Sequence, residues 1–491
     1  MSVASVTDLP SSRQHPSTAT LLLALAAVTS VEFLENGLVL FGAGPIMAGA
    51  GVSAASFALV YAAYGAAAIF MLYKHQWVVE RLGYRRFVGL SLLVFGLGSL
   101  VCATSPAEGQ VFQLGLGRVL QGLGGSTFFV AGRMLINELP PERRFHGLLT
   151  FVGALLGGTA LAPLLAATLL GLGGWRALFW FGLVWAALVA WAVRDCLPAQ
   201  RRAPHERSQE HWAWLLIVLA GVCGLQWVIQ QIPVQGAREL PGRWWAVALL
   251  STAVLSLFAW RQWGRERPLI NYRGLWQRRY LVGLAFYALG YCLAGAMGLL
   301  LPWMLHQELG LSLLTTALWT SLGLLSSVCM ALLHIFAARR WPRHQGYMLS
   351  GVVLQSLACL MLSQVQSTGQ GPAWNVLALG LGTLLSGLSL PLFIGPVAQG
   401  TFLELPQAVF SHGYQVKNIV RQLSLSLSVA VLTGLLHLLA EGRLAVLANG
   451  LRSLGAWLGT PVYQPAACVF LLLAVLGLPL AVAVLLQRVF R

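Results

Sequence analysis

Two glutamates lie three residues apart in a long apolar run near the start of the chain. They are Glu32 and Glu35, in the stretch VEFLENGLVL (31–40). A carboxylate inside a bilayer is costly, so an acid in such a run indicates a functional site by default. If the helix begins near residue 19, Glu32 lies roughly 20 Å along it at about 1.5 Å per residue, close to mid-membrane. Such acids could bind and release a proton or attract a cation.

The spacing of Glu32 and Glu35 places both carboxyl groups on one helical face, with Cβ atoms about 5 to 6 Å apart. In a low dielectric two carboxylates this close disfavour double ionisation, so at least one is expected to hold a proton near neutral pH. Their titration would then belong to the pair. The structural alternative is that one glutamate pairs with an intramembrane cation, for which Arg118 is the obvious candidate, and locks two helices together.

The composition is that of an integral membrane protein. Of 491 residues, 57% are hydrophobic and only 9% are charged, whereas soluble proteins carry about 25% charged residues. Apolar runs of about 20 residues can cross a bilayer core, and the predicted fold is therefore all-α with about fourteen spans. The runs fall near 19–41, 54–73, 87–104, 110–132, 146–170, 175–193, 212–232, 244–261, 280–304, 312–337, 346–364, 373–398, 413–438 and 464–487.

The formal net charge of +16 could indicate a nucleic-acid partner, but the distribution of the charges argues against one. With both termini placed in the cytoplasm, most of the 31 Lys and Arg fall in the termini and the cytoplasmic loops. The positive-inside rule favours this orientation. The charge therefore indicates topology and contact with an anionic inner leaflet, and we expect a multi-pass protein of the inner (plasma) membrane.

Several classes of chemistry lack support in the sequence. The seven cysteines occur singly, with no CxxC spacing, so we expect neither a disulfide framework nor a zinc site. The chain has no Walker motif, so ATP is not the expected energy source. No loop is long enough to form a soluble catalytic domain. We therefore expect no enzyme activity, no cofactor and no metal.

Two polar connectors, at 195–211 and 261–279, divide the spans into blocks of six, two and six. The predicted units are 1–196, 197–279 and 280–491. A short Arg-rich segment follows the second span of each six-span block, at 77–87 and at 335–347. Duplicated six-helix halves with a substrate site between them are a recurring transporter design.

Four short motifs follow one another along the chain: LGRVLQGLGGS (116–126), GTALAPLLAA (158–167), GWRALFWFG (174–182) and KNIVRQL (417–423). In this order they resemble the fourth, fifth, sixth and thirteenth helices of the major facilitator superfamily, in particular its 14-helix drug:proton antiporter branch. Alanines stand where the family's fifth-helix motif has glycines, at 162, 166 and 167. The matching positions are Arg118, Gln121, Gly122, Gly158, Pro163, Asn418 and Arg421.

The loop between the second and third spans, QWVVERLGYRR (76–86), also resembles that family. The resemblance implies that this loop latches the cytoplasmic side of the transporter. Gln76 replaces a family glycine, and Glu80 replaces a family aspartate without loss of charge. In the first span, Glu35 stands at the position of the branch's acidic residue, with Pro45 near the expected end. The matched loop residues are Arg81, Gly83, Arg85 and Arg86.

The resemblance implies roles for individual residues. Glu35 is the first choice for proton coupling, Glu32 is its modulator, and Arg118 tunes the protonation of a nearby carboxylate. Gly122, Gly158 and Pro163 would permit close helix packing and a bend. Each candidate for substrate contact could instead serve helix packing or interfacial anchoring. These candidates, on helices that would surround a central cavity, are Asn36, Tyr61, Tyr64, Gln121, Tyr287, Tyr291 and Trp319.

The leading prediction is a proton-coupled secondary exporter of small amphipathic or cationic organic compounds that works by alternating access. The alternative is an exporter of one endogenous metabolite, an anion included, in which Arg118, Lys417 and Arg421 matter more for recognition than the acids. A third class, a membrane enzyme or non-transporting sensor, would need a catalytic set or a signalling domain. The expected partners are a small-molecule substrate, protons and the lipid bilayer, and the sequence leaves open a periplasmic adaptor protein.

Overall fold

The fold of the described residues is entirely helical. A computed structural model describes residues 17–106, 111–197, 212–235, 241–266, 268–365, 372–458 and 464–490, and no β-strand occurs in these ranges. Eleven of their helices are long and apolar enough to cross a membrane. The all-α membrane fold expected from the composition is thereby confirmed. Most of the predicted connector 195–211, and residue 491, lie outside the described ranges.

Seven helices form the N-terminal part of the molecule. Within the last of them the backbone departs from helical geometry at Gly173 and Gly174, and Gly174 has a φ of +66°, which glycine adopts without steric cost. This helix therefore supplies the fifth and the sixth predicted spans. The helices are α1 (Thr18–Phe41), α2 (Ala43–Ala50), α3 (Ala54–Leu82), α4 (Tyr84–Ala103), α5 (Val111–Gly125), α6 (Phe128–Glu138) and α7 (Arg144–Val193).

Ten helices follow. Helix α11 continues into a π-helical turn at Met304–Glu308, and a 3₁₀ turn at Gln407–Val409 precedes α15. The helices are α8 (Trp212–Gln235), α9 (Gly242–Trp263), α10 (Tyr272–Leu275), α11 (Arg278–Trp303), α12 (Leu313–Arg340), α13 (His344–Ser363), α14 (Pro372–Gly400), α15 (Phe410–Ala440), α16 (Ala445–Trp457) and α17 (Pro465–Leu486).

The number of crossings and the unit boundaries stay predictions. The eleven long apolar helices include α7 as one piece, although its break at Gly173 and Gly174 divides it. The fourth predicted span corresponds to α5 and α6, and the seventh corresponds to α8. None of these three helices is among the eleven, so the total of fourteen crossings stays a prediction.

Two groups of helices pack mainly among themselves. In the first, α1 runs along α7, and α5 packs against α3 and α4; in the second, α13 packs against α14 and α17, and α11 packs against α15. The groups meet where α7 touches α12 and where α3 touches α15. The α8–α9 hairpin lies against α3 and α15, and the Ser426 hydroxyl donates a hydrogen bond to Gln226 Oε1 at 2.9 Å.

The contact between α1 and α7 depends on small residues. A Cβ atom built on Gly37 would lie 2.5 Å from the Cβ of Ala162. Ala162 is one of the alanines that stand where the family's motif has glycine. The missing side chain is thus on α1 instead of α7, and the two backbones still approach closely.

Candidate functional site

A cavity of about 520 Å³ lies between the two groups of helices. Its wall is mostly apolar and aromatic, which is typical of a site for a small organic ligand. Helices α1, α3, α6 and α7 contribute from one side, and α11 to α15 contribute from the other. Among the predicted substrate contacts, the cavity wall includes Asn36, Tyr61, Tyr287 and Tyr291.

Three predicted substrate contacts lie away from this wall. Tyr64 is buried beneath Arg118, whose Cζ atom is 4.5 Å from the centre of the tyrosine ring. Gln121 is fully buried in a hydrogen-bond network, and Trp319 packs in the apolar core near Gly380 of α14. The sequence predicted that these three residues lie on helices around the cavity. Helix packing sets the rotation of each helix about its axis, and in the structure these side chains point toward neighbouring helices.

Glu35 is held within the N-terminal helices by an amide. Gln121 Nε2 donates hydrogen bonds to Glu35 Oε1 at 2.7 Å and to Ser99 Oγ at 2.8 Å. Arg118 Nη1 donates to Gln121 Oε1 at 2.8 Å and lies 3.9 Å from Glu35 Oε1. Glu35 Oε2 has no hydrogen-bond partner among the described residues. This oxygen is therefore available to a proton.

Glu35 is not part of the cavity wall, and its contacts lead toward that wall through Arg118. The Arg118 guanidinium carbon lies 6.0 Å from the centre of the Tyr61 ring, and Tyr61 lines the cavity. On the opposite side, a Cβ atom built on Gly182 would lie 2.7 Å from Glu35 Oε2. The glycine in α7 thus leaves room for the carboxyl group between α1 and α7.

Glu32 joins the two groups of helices. Its Oε1 accepts hydrogen bonds from the Arg421 guanidinium and from Gln422 Nε2, the latter at 2.9 Å. Both acceptor and cation are buried, with side-chain exposures of 0% for Glu32 and 1% for Arg421. Because Arg421 belongs to α15 and also lines the cavity, this ion pair is an inter-bundle contact at the cavity wall.

Further contacts hold Arg421 in place. Asn418 Oδ1 accepts a hydrogen bond from Arg421 Nε at 2.7 Å, and Asn418 Nδ2 donates to the Ser126 carbonyl at 3.4 Å. The guanidinium carbon lies 5.0 Å from the centre of the Phe33 ring and 5.2 Å from that of Phe129. The two matched residues of the thirteenth-helix motif therefore connect α15 to α1, α6 and the junction of α5 and α6.

The two acids have different partners. Arg118 lies beside Glu35, and an ion pair between Arg118 and one of the two glutamates was the structural alternative considered from the sequence. Glu32 instead pairs with Arg421 of α15. Joint titration of the two acids stays a prediction. Sequence reasoning missed Gln422 and Ser99, although a polar side chain within an apolar span is a usable signal for each.

The predicted gating loop begins at the end of α3. Gly83 has a φ of 77°, which favours glycine, and its N–H donates to the Val79 carbonyl. Gln76 Nε2 donates to Glu80 Oε1 at 2.8 Å. Gln76 and Glu80 are the two positions at which this loop departs from the family pattern, and their side chains are hydrogen-bonded to each other.

The arginines of this loop differ in their surroundings. Arg81 Nη1 donates to the Trp77 carbonyl at 3.0 Å, and its guanidinium carbon lies 4.0 Å from the centre of that indole ring. Arg85 forms an ion pair with Asp195, just beyond the end of α7. Arg86 is exposed. The ion pair connects the loop to the last helix of the N-terminal group, and a latch function stays a prediction.

The predicted packing residues differ in how tightly they are enclosed. A Cβ atom built on Gly122 would lie 2.3 Å from the Tyr64 carbonyl oxygen, whereas one built on Gly158 would meet nothing closer than 3.7 Å. Pro163 lines the cavity within α7. The non-helical dihedral angles of α7 lie at Gly173 and Gly174, not at Pro163.

We expect Gly122→Ala to lower the free energy of unfolding by about 1–3 kcal/mol, because the added methyl group must push α3 away from α5. Gly158→Ala is the matched control and should unfold at nearly the wild-type temperature. Thermal unfolding of the purified protein in detergent measures both. Equal losses in the two variants would contradict the different enclosure of these glycines.

Comparisons with known proteins agree with these features. The family model described as Major Facilitator Superfamily matches residues 25–429. A protein of Cronobacter sakazakii named multidrug resistance protein MdtD is 26% identical over 396 residues, which is 79% of this chain and 79% of that protein. The protein of the same name from Klebsiella pneumoniae is 24% identical over 379 residues, 77% of each chain.

Solved structures with a similar fold include peptide transporters of the POT family. One, determined in complex with sulfate, has a TM-score of 0.64 at 17% sequence identity and covers 96% of this chain and 95% of its own. An auto-inhibited member has a TM-score of 0.63 at 16% identity and covers 95% of this chain and 96% of its own. At these identities the similarity concerns the fold.

Proposed function

The chain belongs to the major facilitator superfamily, and from this premise we propose that it is a proton-coupled exporter of small amphipathic organic compounds. Export would proceed by alternating access, with the two groups of helices rocking around the cavity between them. The observation that carries the proposal is the buried Glu35 carboxyl, which has one oxygen without a hydrogen-bond partner among the described residues and is connected to the cavity wall through Arg118 and Tyr61. The names of the relatives, multidrug resistance proteins, support organic compounds as substrates.

Glu35 would carry the transported proton. When the cavity opens outward, a proton binds the free Oε2 atom, and when it opens to the cytoplasm, the proton leaves. Arg118 reaches the carboxyl group through Gln121, and its Nη1 atom lies 3.9 Å from Glu35 Oε1, so the proton would be loaded and released at Oε2 without displacing a short hydrogen bond from Arg118. Arg118 and Cys102 lie within electrostatic reach of this carboxyl, and Glu32 is one helical turn away on α1.

The Glu32–Arg421 ion pair would change its geometry between the outward-open and the inward-open states. It joins α1 to α15, which belong to opposite groups of helices. Rocking of these groups must therefore stretch, break or rebuild a buried charge contact. The gating loop, with Glu80, Arg81, Gly83, Arg85 and Arg86, would stabilise the cytoplasmic closed state from within the N-terminal group.

A substrate screen with a pH readout tests the proposal. The protein is reconstituted into liposomes that contain the pH dye pyranine, and a panel of anionic, neutral and cationic aromatic compounds is added under an imposed pH gradient. We expect at least one compound to move protons in the direction opposite to its own. Solute movement that ignores the gradient would favour an uncoupled exporter, and no movement for any compound would favour the non-transporting class.

We also propose an inner-membrane location with both termini in the cytoplasm. A green fluorescent protein fused after Arg491 should fluoresce, since it stays in the cytoplasm. Alkaline phosphatase inserted at Gly442, in the turn between α15 and α16, should be active because that turn would face outward. Phosphatase activity at the C-terminus would indicate an odd number of crossings.

A further inference from the structure

The cavity wall differs in polarity between its two sides. The lining residues from α1, α3, α6 and α7 are mostly aromatic and aliphatic. Helices α12, α13 and α14 contribute hydroxyl, imidazole and amide groups, and none of their described lining residues is Asp, Glu, Lys or Arg. The charged lining residues, Lys417 and Arg421, belong to α15. The polar residues of α12, α13 and α14 that line the cavity and are not exposed are Thr320, Ser327, His334, Gln355, Thr383 and Ser386.

Three of these residues lie on one face of α12. Thr320, Ser327 and His334 are seven residues apart, which is close to two helical turns, so they follow one another at intervals of about 10 Å along the helix. All three side chains are buried. Thr320 Oγ1 donates a hydrogen bond to the Thr316 carbonyl at 2.7 Å, whereas Ser327 Oγ and His334 Nε2 have no hydrogen-bond partner among the described residues. Hydrogen-bonding capacity is therefore left unused along this face.

Thr383 of α14 lies close to the middle of this face. A Cβ atom built on Gly323 would lie 2.7 Å from Thr383 Cγ2, so α12 and α14 are in contact there. Ser327 follows Gly323 by about one helical turn. Thr383 Oγ1 also has no hydrogen-bond partner in the described part of the chain. Two buried hydroxyl groups with unused capacity are thus present in the same region of the wall.

Neighbouring hydroxyl groups differ because other groups of the protein satisfy them. Ser326 Oγ donates to the Gly323 carbonyl at 2.7 Å and to the Leu384 carbonyl at 3.2 Å, and Ser389 Oγ donates to Gln355 Oε1 at 2.6 Å. Serine and threonine in helices commonly bond to a preceding carbonyl in this way. A buried hydroxyl without a partner costs free energy, and in a ligand cavity a bound molecule can supply the missing hydrogen bond.

We propose that Ser327 and Thr383 bind an uncharged hydrogen-bonding group of the substrate, such as a carboxamide, while an apolar body packs on the aromatic and aliphatic side of the cavity. The inference rests on the proposed function and narrows its substrate class. A hydroxyl group both donates and accepts, so a ligand group that also does both can satisfy the two side chains together. A charged group at this place would lose hydration without meeting an opposite charge from the described lining of α12, α13 or α14, which costs affinity.

The chain offers matched variants. Thr383→Val keeps the shape of the side chain and removes its hydroxyl, and Thr383→Ser keeps the hydroxyl. Ser327→Ala has its control in Ser321→Ala: both serines belong to α12, both are buried, and both hydroxyls are without a partner among the described residues. Ser321 is not part of the cavity lining. Because Ser327→Ala, Ser321→Ala and Thr383→Val remove only hydroxyls with no partner in the described structure, we expect these variants to unfold close to the wild-type temperature.

The test uses three compounds of one shape: naphthalene-1-carboxamide, 1-acetylnaphthalene and naphthalene-1-carboxylate. The first donates and accepts hydrogen bonds, the second only accepts, and the third is an anion. The full-length protein is placed in phosphatidylcholine nanodiscs, and binding of each compound is measured by equilibrium dialysis against empty nanodiscs, without a pH gradient. We expect the carboxamide to bind at least about fivefold more tightly than the other two, as one further hydrogen bond implies. Ser327→Ala and Thr383→Val should each lower this ratio to less than about twofold, whereas Thr383→Ser and Ser321→Ala should keep it.

The outcomes separate this inference from the proposed function. Equal binding of the carboxamide and the ketone, tighter binding of the carboxylate, or a carboxamide preference that survives Ser327→Ala or Thr383→Val overturns the inference, even if other compounds drive proton movement. A carboxamide preference that depends on both hydroxyls, in a protein that moves no protons, supports the inference and removes the proton coupling. Should one of the two hydroxyl-deletion variants fail to fold, the other variant decides together with its own control.

Discussion

Glu35→Gln is expected to abolish transport driven by a pH gradient and to leave exchange of substrate without a gradient intact. Glutamine resembles the protonated acid in shape and hydrogen bonding but cannot release a proton. The cavity wall does not include Glu35, so binding of the substrate should survive the change. The measurement compares uptake under an imposed gradient with counterflow at equal pH, in the same proteoliposomes and with a compound that the wild-type protein moves.

Glu404→Gln is the control for this experiment, because Glu404 is a 59% exposed carboxylate that pairs with Arg279 at 3.0 Å. It should behave like the wild type in both assays. If Glu35→Gln retains the wild-type response to the gradient, Glu35 is not the coupling residue. Loss of counterflow as well would mean that Glu35 supports the fold or the binding site instead of carrying a proton.

Arg421→Gln is expected to have the largest effect on stability. It would leave the fully buried Glu32 carboxylate without its cation, and removal of one partner of a buried ion pair costs about 3–5 kcal/mol. Thermal unfolding in detergent should therefore begin at a clearly lower temperature, and transport should be lost because α15 no longer holds α1.

The double variant Glu32→Gln/Arg421→Gln distinguishes a charge effect from a packing effect. With both charges removed, amide side chains of similar size can still form hydrogen bonds, so the double variant should be more stable than Arg421→Gln alone. Glu404→Gln, which breaks a largely exposed pair, should cost only about 0–1 kcal/mol. A double variant that is less stable than Arg421→Gln would mean that Glu32 contributes through contacts other than Arg421.

Together these experiments assign separate tasks to two acids one helical turn apart. The Glu35 partners Gln121 and Arg118 both belong to helix α5 of the N-terminal group, which suits a proton site that keeps its surroundings as the groups of helices rock. Glu32 binds across the interface, which suits a contact that changes between access states. The sequence spacing alone favours a single coupled pair, whereas in the folded chain Glu35 has partners on α5 and Glu32 has partners on α15.

Composition and hydropathy were sufficient for the membrane fold and the helix order. Runs of about 20 apolar residues have few alternatives to a membrane-spanning helix, because every backbone polar group must be satisfied within the segment. The order of the motifs at 116–126, 158–167, 174–182 and 417–423 was sufficient for the family. Glu32, Glu35 and Arg118 were recognisable because charged residues are rare in such runs.

The directions of side chains required the tertiary structure. Tyr61 lines the cavity and Tyr64, three residues later, lies beneath Arg118, since a small rotation of α3 decides which of them faces inward. The partner of Glu32 required it too, because hydropathy contains no information about which of several buried cations an acid meets.

By itself, the sequence determined that this chain spans a membrane, belongs with a family of transporters and carries charge where charge is costly. Only the folded chain decided that both acids lie behind the cavity wall with their own arginines, while Lys417 lies on it. The physical reason is that insertion of a segment into the membrane depends on its composition, whereas exposure of a side chain to the cavity depends on how the helices pack around that cavity.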